Sequence, residues 1–226
     1  MLRRLTLVVS AAGLELALLS CPCEAQNLVA NPGFQANLSS WTVNSLPAGF
    51  VTWGSLDASG SPTSGSADFI NYRPCTLTGP GSYSCEAPRL GQCIDVSPST
   101  RYWAGYSGFT GVGPDSFGFF TLTLGYFTGP GCSGTAVSGP AFSLHPQGIS
   151  WVRRTDQLTT PPEARSLLLS VSAYHDAVPA GSFSGYVDDV TLEAVAPDPS
   201  PVEISRGTLF AAAFLLMLVG LSQLRS

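Results

Sequence analysis

Between residues 26 and 195 the chain carries no 3.6-residue apolar period. Short segments instead alternate apolar and polar side chains and stop at clusters of Gly, Pro and Ser. Alternation with period two marks strands that are buried on one side. The segments are 90–96, 101–109, 117–127, 149–155, 164–174 and 185–194. Ser97-Pro98-Ser99 ends the first, and Gly129-Pro130-Gly131 ends the third. Turn clusters at such intervals favour packed antiparallel sheets over alternating strands and helices. The expected class is all-β, a sandwich over residues 26–195.

Composition narrows the function. The 24 glycines and 18 prolines suit tight turns, and 44% hydrophobic residues supply a core that a disordered chain lacks. Net charge is −5, and all ten basic residues are arginines. Past Arg3 and Arg4 only Arg153 and Arg154 are adjacent. No basic stripe follows a phosphate backbone, so nucleic acid is not an expected partner.

The two ends are apolar. Residues 1–25 read as a signal peptide with a helical apolar run (5–19) after Arg3 and Arg4, and Cys23-Glu24-Ala25 places cleavage before Gln26. A second reading stays open: Leu18-Leu19-Ser20-Cys21 resembles a bacterial lipoprotein box, with Cys21 acylated. Residues 196–203 are a Pro-rich linker, and 204–226 read as a C-terminal transmembrane helix closed by Arg225. The segment 201–225 resembles the PEP-type and IPTL-type sorting tails of bacterial surface proteins. That resemblance implies export and sorting machinery as partners, a membrane anchor and a cell-surface location.

Beyond Cys21 and Cys23, four cysteines remain: Cys75, Cys85, Cys93 and Cys132. An even number in an exported domain points to two disulfides, with three pairings possible. The favoured one joins Cys75 to Cys85 across a turn-rich loop and Cys93 to Cys132 from a strand to a turn. No C-x-x-C spacing suggests a metal-thiolate site.

The run Asn27-Leu28-Val29-Ala30-Asn31-Pro32-Gly33-Phe34-Gln35, followed by Leu38 to Trp41, resembles the opening of galactose-binding-like jelly rolls. These include carbohydrate-binding modules of the xylan- and glucan-binding type. Tyr186-Val187-Asp188-Asp189-Val190-Thr191-Leu192 resembles their closing strand, and residues 92–106 resemble a strand pair between. The resemblance implies a jelly-roll β-sandwich and polysaccharide as a partner. It also implies a structural calcium held by Asp188 or Asp189, Gln35 and backbone oxygen near Gly33. This chain carries Gln35 where the family usually has glutamate, which removes one charge from that site.

Sugar sites set aromatic faces against ring C–H groups. With Tyr102 and Tyr106 in the core, Trp103 faces the other way and becomes a candidate platform, sharing a surface with Phe119 and Tyr174. Trp41, Trp53 and Trp151 are expected in the core. Tyr186, Asp188, Val190 and Leu192 are expected on one inward face, and a bulge is expected between Ala164 and Leu167.

Catalysis finds little support. His145 and His175 read as surface histidines, and no G-x-S-x-G elbow is present. Asp188 and Asp189, as neighbours on a strand, are expected to point to opposite faces, too far apart in direction to flank one bond. The expected function is a noncatalytic, exported, surface-tethered carbohydrate-binding domain that adheres to or organises extracellular polysaccharide. The alternative is a structural envelope or matrix protein with no small ligand.

Overall fold

A computed structural model describes residues 25–79, 82–110, 118–139, 149–176 and 181–196. The signal peptide, Cys21, the linker past Ala196, the C-terminal segment and His145 lie outside the described residues. The chain divides into two compact units, Met1–Val195 and Ala196–Ser226, and all described strands lie in the first.

In chain order the strands are β1 (Thr42–Asn44), β2 (Gly49–Gly54), β3 (Ser66–Asn71), β4 (Thr76–Gly79), β5 (Ser82–Ser84), β6 (Arg89–Asp95), β7 (Arg101–Thr110), β8 (Gly118–Phe127), β9 (Ala136–Val137), β10 (Val152–Thr159), β11 (Ser166–His175) and β12 (Phe183–Ala194). Sheet I has the order β1-β6-β11-β8-β9, and sheet II has the order β10-β7-β12-β3-β2; β4 and β5 form a separate hairpin. Every strand pairing in these sheets is antiparallel. From β6 onward the chain changes sheet at nearly every connection, so residues distant in sequence meet in one core.

That core follows the alternation. Leu167, Leu169, Val171 and Ala173 face inward from β11, and Phe120, Leu122 and Tyr126 from β8. Sheet II answers with Ala67, Phe69, Tyr102, Ala104, Tyr106, Val187, Val190 and Leu192. Phe120 packs edge-on against both Phe69 and Phe183, at 5.3 and 5.1 Å between ring centroids. Such contacts add to the gain from removing apolar area from water.

The two disulfides are Cys75–Cys85 and Cys93–Cys132, the favoured pairing. Cys132 lies in a 3-10 turn (Pro130–Cys132), where its amide donates to the Ser166 hydroxyl at 2.9 Å.

Several expectations need correction. The odd offset of Ala164 is no bulge: its amide closes a turn onto Pro161 O, and β11 pairs with both neighbours without a register shift. The bulge lies in β12 instead, between Asp188 and Thr191, with Asp189 at φ 49°. Val187, Val190 and Leu192 therefore face the core, while Tyr186 and Asp188 face outward. Trp41 is buried, but Trp53 sits 39% exposed on edge strand β2, where its indole N–H donates to Phe34 O. Trp151 packs on Phe109 at the outer face of sheet II rather than in the core.

The opening motif holds the N-terminal segment to the last strand. The Asn27 side-chain amide donates to Val190 O, and its oxygen accepts from the Leu192 and Val29 amides. Buried Gln92 on β6 exchanges two bonds with the Ala30 backbone and donates a third to Ser40 O. Val190 N–H donates to Pro32 O, which fixes Gly33 over the bulge.

Candidate functional site

Because the residues at 167, 169, 171 and 173 fill the core, Leu168, Ser170, Ser172 and Tyr174 face out from β11. By the same parity Phe119, Thr121 and Thr123 face out from β8. The register sets Tyr174 beside Phe119, Ser172 beside Thr121, and Ser170 beside Thr123. The Phe119 and Tyr174 rings stack at 5.4 Å and 24°. Thr121 faces outward yet is only 6% exposed, and its hydroxyl has no hydrogen-bond partner. Ser172 beside it is equally recessed, and so is Gly91 across β6. Thr121 and Ser172 are thus shut away from solvent, and the accessible part of this face is the half-buried Phe119–Tyr174 pair with exposed Thr123 and half-buried Ser170 farther along the strands. The rings offer an apolar ledge to a sugar, and the Thr123 and Ser170 hydroxyls can meet its hydroxyls. Nothing in the alternation pattern signalled Thr121 or Ser172.

Trp103 does not share this surface. It faces out from β7 in sheet II, so it lies on the opposite side of the sandwich from Phe119 and Tyr174. Phe109, Tyr186 and Trp151 share its face and pack on one another at 5.8 Å.

The acidic residues converge, contrary to the strand alternation. A Cβ placed on Gly33 would lie 3.8 Å from Asp188 Oδ1 and 3.9 Å from Asp189 Oδ1. The bulge and the positive φ of Asp189 turn both carboxylates to the same spot. Arg153 clamps the bulge by donating to Asp189 O and, at 2.8 Å, to the Thr191 hydroxyl. A shallow cleft of about 290 Å³ lies beside it, lined by Asn27, Pro32, Arg153, Asp189, Val190 and Thr191.

Asp188 is 1% exposed, covered by the loop after β2. Burial pushes its carboxyl up to about 6, against the pull of two amide donors, Ala58 at 2.8 Å and Asp189 at 2.7 Å; the neighbouring Asp189 and Asp57 charges push the same way as burial. Burial also opposes ionisation of Asp57, but hydroxyl and amide donors on Ser59, Ser64 and Ser61 outweigh it and hold that carboxyl at about 2. A carboxyl raised this far can suggest an acid catalyst. Asp188, however, is closed off from solvent, and each of its oxygens already accepts a backbone amide, so it presents no group to a substrate.

For calcium the fit is partial. Asp188, Asp189 and Gly33 do meet, and among the described residues neither carboxylate forms an ion pair. Gln35 is exposed, and its backbone amide is tied to Asn31 Oδ1. Among the described residues no three acidic, histidine or cysteine side chains form a metal-holding group. A calcium here would rest on two carboxylates, main-chain oxygens and water, all within the chemistry of that ion.

His175 is not a surface residue. It faces the core at the end of β11, 1% exposed, and neither ring nitrogen has a hydrogen-bond partner. Burial depresses its pKa against the opposing charge of Asp176. The alternation that buries Ala173 also placed residue 175 inward, and that signal was in the sequence.

No family model matches the sequence, and no curated protein matches it. Solved structures share its fold at low identity. The enzymatically active domain of tailspike protein 4 from bacteriophage CBA120 aligns with TM-score 0.53 and 18% identity over 75% of this chain, which spans only 21% of the tailspike. TmCBM61 in complex with β-1,4-galactotriose aligns with TM-score 0.50 and 17% identity, over 76% of this chain and 100% of that one. A xylan-binding domain from CBM 22 gives TM-score 0.48 and 16% identity, over 77% and 98% of the two chains. What the chain shares with the tailspike domain and TmCBM61 is an antiparallel β-sandwich fold.

Proposed function

We propose that this chain is a noncatalytic, exported jelly-roll domain that binds a polysaccharide across the outer face of sheet I. The observation that carries the reading is the stacked, half-buried Phe119–Tyr174 pair on that face, in line with the accessible hydroxyls of Thr123 and Ser170. The sandwich shared with a module solved in complex with β-1,4-galactotriose supports it. Two disulfides support an oxidising compartment outside the cytoplasm. The apolar ends of the sequence support export and a surface tether, through which the domain would adhere to or organise extracellular polysaccharide.

The test is affinity electrophoresis of the full-length protein in gels containing β-1,4-galactan or xylan. Retardation is expected with one of them. Removing the ring in Tyr174→Ala should weaken binding about tenfold, the equivalent of roughly 1.4 kcal/mol. Unretarded migration in both gels, or retardation unchanged in Tyr174→Ala, counts against the reading.

The same reading retains a structural calcium at Asp188 and Asp189. It is supported by the convergence of two carboxylates on Gly33 and by the burial that makes an uncompensated Asp188 charge costly.

A further inference from the structure

Among the described residues, Trp103 on the outer face of sheet II has no ring partner. Phe109, Tyr186 and Trp151 use their faces on one another, whereas Trp103 stacks on none of the described rings and is 42% exposed. It is not on an edge: β7 lies between β10 and β12, and the register sets Gln157 on one side of Trp103 and Glu193 on the other. An indole flanked by an amide and a carboxylate can stack on a pyranose while both neighbours address its hydroxyls.

The next outward position along β7 is Gly105, between Thr155 and Thr191. Close approach of β10 demands glycine there, since a Cβ would lie 2.4 Å from Arg154 O. Gly105 is itself buried, with exposed Thr155 beside it, and Ser107 beyond it is only 5% exposed beside Arg153, which bonds the Thr191 hydroxyl. The open strip is the ground around Trp103, with exposed Arg101 the preceding outward position, about 7 Å along the strand, room for one or two sugar rings. On this face Glu193 and Asp189 are matched by the guanidinium groups of Arg153 and of exposed Arg101, while Asp188 is buried. With no excess of either charge, the face suits a neutral glycan.

We propose that this strip is a second saccharide-docking face, independent of the one on sheet I. The proposal rests on the carbohydrate-binding reading and extends it. The two faces look away from each other, so one domain can grip two polysaccharide strands and bridge them. Bridging of this kind gives adhesion through avidity, not through a single tight site.

The experiment uses full-length protein with β-1,4-galactan and xylan as probes. Binding stoichiometry to short oligosaccharides is read by titration calorimetry, and strand bridging is read by light scattering with the polymer. Two sites per chain are expected for the wild type, and one each for Trp103→Ala and Tyr174→Ala. Scattering should collapse in either variant while binding persists. Trp103→Phe should restore both readouts, and near-UV circular dichroism checks that each variant is folded. A stoichiometry unchanged in Trp103→Ala, with all binding lost in Tyr174→Ala, overturns the second face and leaves the first intact. Loss of all binding in Trp103→Ala, with none in Tyr174→Ala, overturns the assignment to sheet I. Wild-type protein that binds neither glycan overturns both.

Discussion

Asp188 shows how one residue can carry a fold motif, a stability term and a candidate metal site together. The closing motif marked it, but strand alternation placed it on the core face, and the bulge placed it under a loop on the outer face. Its carboxyl is raised from 3.8 to about 6, so the folded protein holds that proton more tightly than the unfolded chain. The associated stability is fully present below pH 3.8 and is lost as pH rises through about 6. In metal-free protein the melting temperature should fall across that window, by a stability loss on the order of 3 kcal/mol. Asp188→Asn should flatten the profile and leave the protein more stable than wild type above the window. Calcium added at pH 8 should raise the wild-type melting temperature and leave Asp188→Asn unmoved. A chelator without effect on wild type, together with no response to added calcium, would exclude the metal.

At the scale of elements, β6, β7, β8, β11 and β12 were legible because each carries a long alternation, whereas β10 was met only over its first half and two-residue β9 went unseen. Arg101–Thr110 and Ser166–His175 fill two central positions of the sheets, and their inward residues are apolar or aromatic apart from Thr110 at the end of the first and the His175 imidazole at the end of the second. The early strands went unseen because they are short and rich in Ser, Thr and Gly, so too few apolar positions repeat. Edge strand β2 breaks the rule differently: Trp53 has inward parity, yet no strand lies beyond it to complete its burial. The opening segment has no strand of its own and depends on side-chain bonds from Asn27 to β12. Asn27→Ala should cost about 2 kcal/mol by leaving backbone groups unpaired, read as a drop in denaturation midpoint. Asn27→Asp, which keeps the acceptor and loses the donor, should cost less. A loss of stability within measurement error for Asn27→Ala would show that water replaces these bonds without penalty.

Across the whole molecule the two disulfides act on different lengths of chain. Cys75–Cys85 closes a separation of 10 residues, and Cys93–Cys132 closes 39, spanning the path from sheet I through β7 and back. Loop-closure entropy makes the longer link worth about 1 kcal/mol more. Cys93→Ser/Cys132→Ser should therefore lower the denaturation midpoint further than Cys75→Ser/Cys85→Ser, as read by urea titration of each pair variant. The reverse order would mean that the short loop organises more of the fold than its length implies.

The sequence by itself determined the class of fold and the direction in which most strand residues point, and it narrowed the disulfides to three pairings, of which the structure holds the favoured one. Period-two alternation is a local property, and four cysteines leave few pairings. It also marked Phe119, Tyr174 and Trp103 as outward aromatics. Only the tertiary structure decided which of them meet. Phe119 and Tyr174 come together because β8 and β11 are neighbours in sheet I, and Trp103 is sent to the far side because β7 belongs to sheet II. The Asp188–Asp189 convergence was equally out of reach. One extra residue in a strand inverts the alternation beyond it, and where that residue is accommodated depends on partner strands far away in the chain.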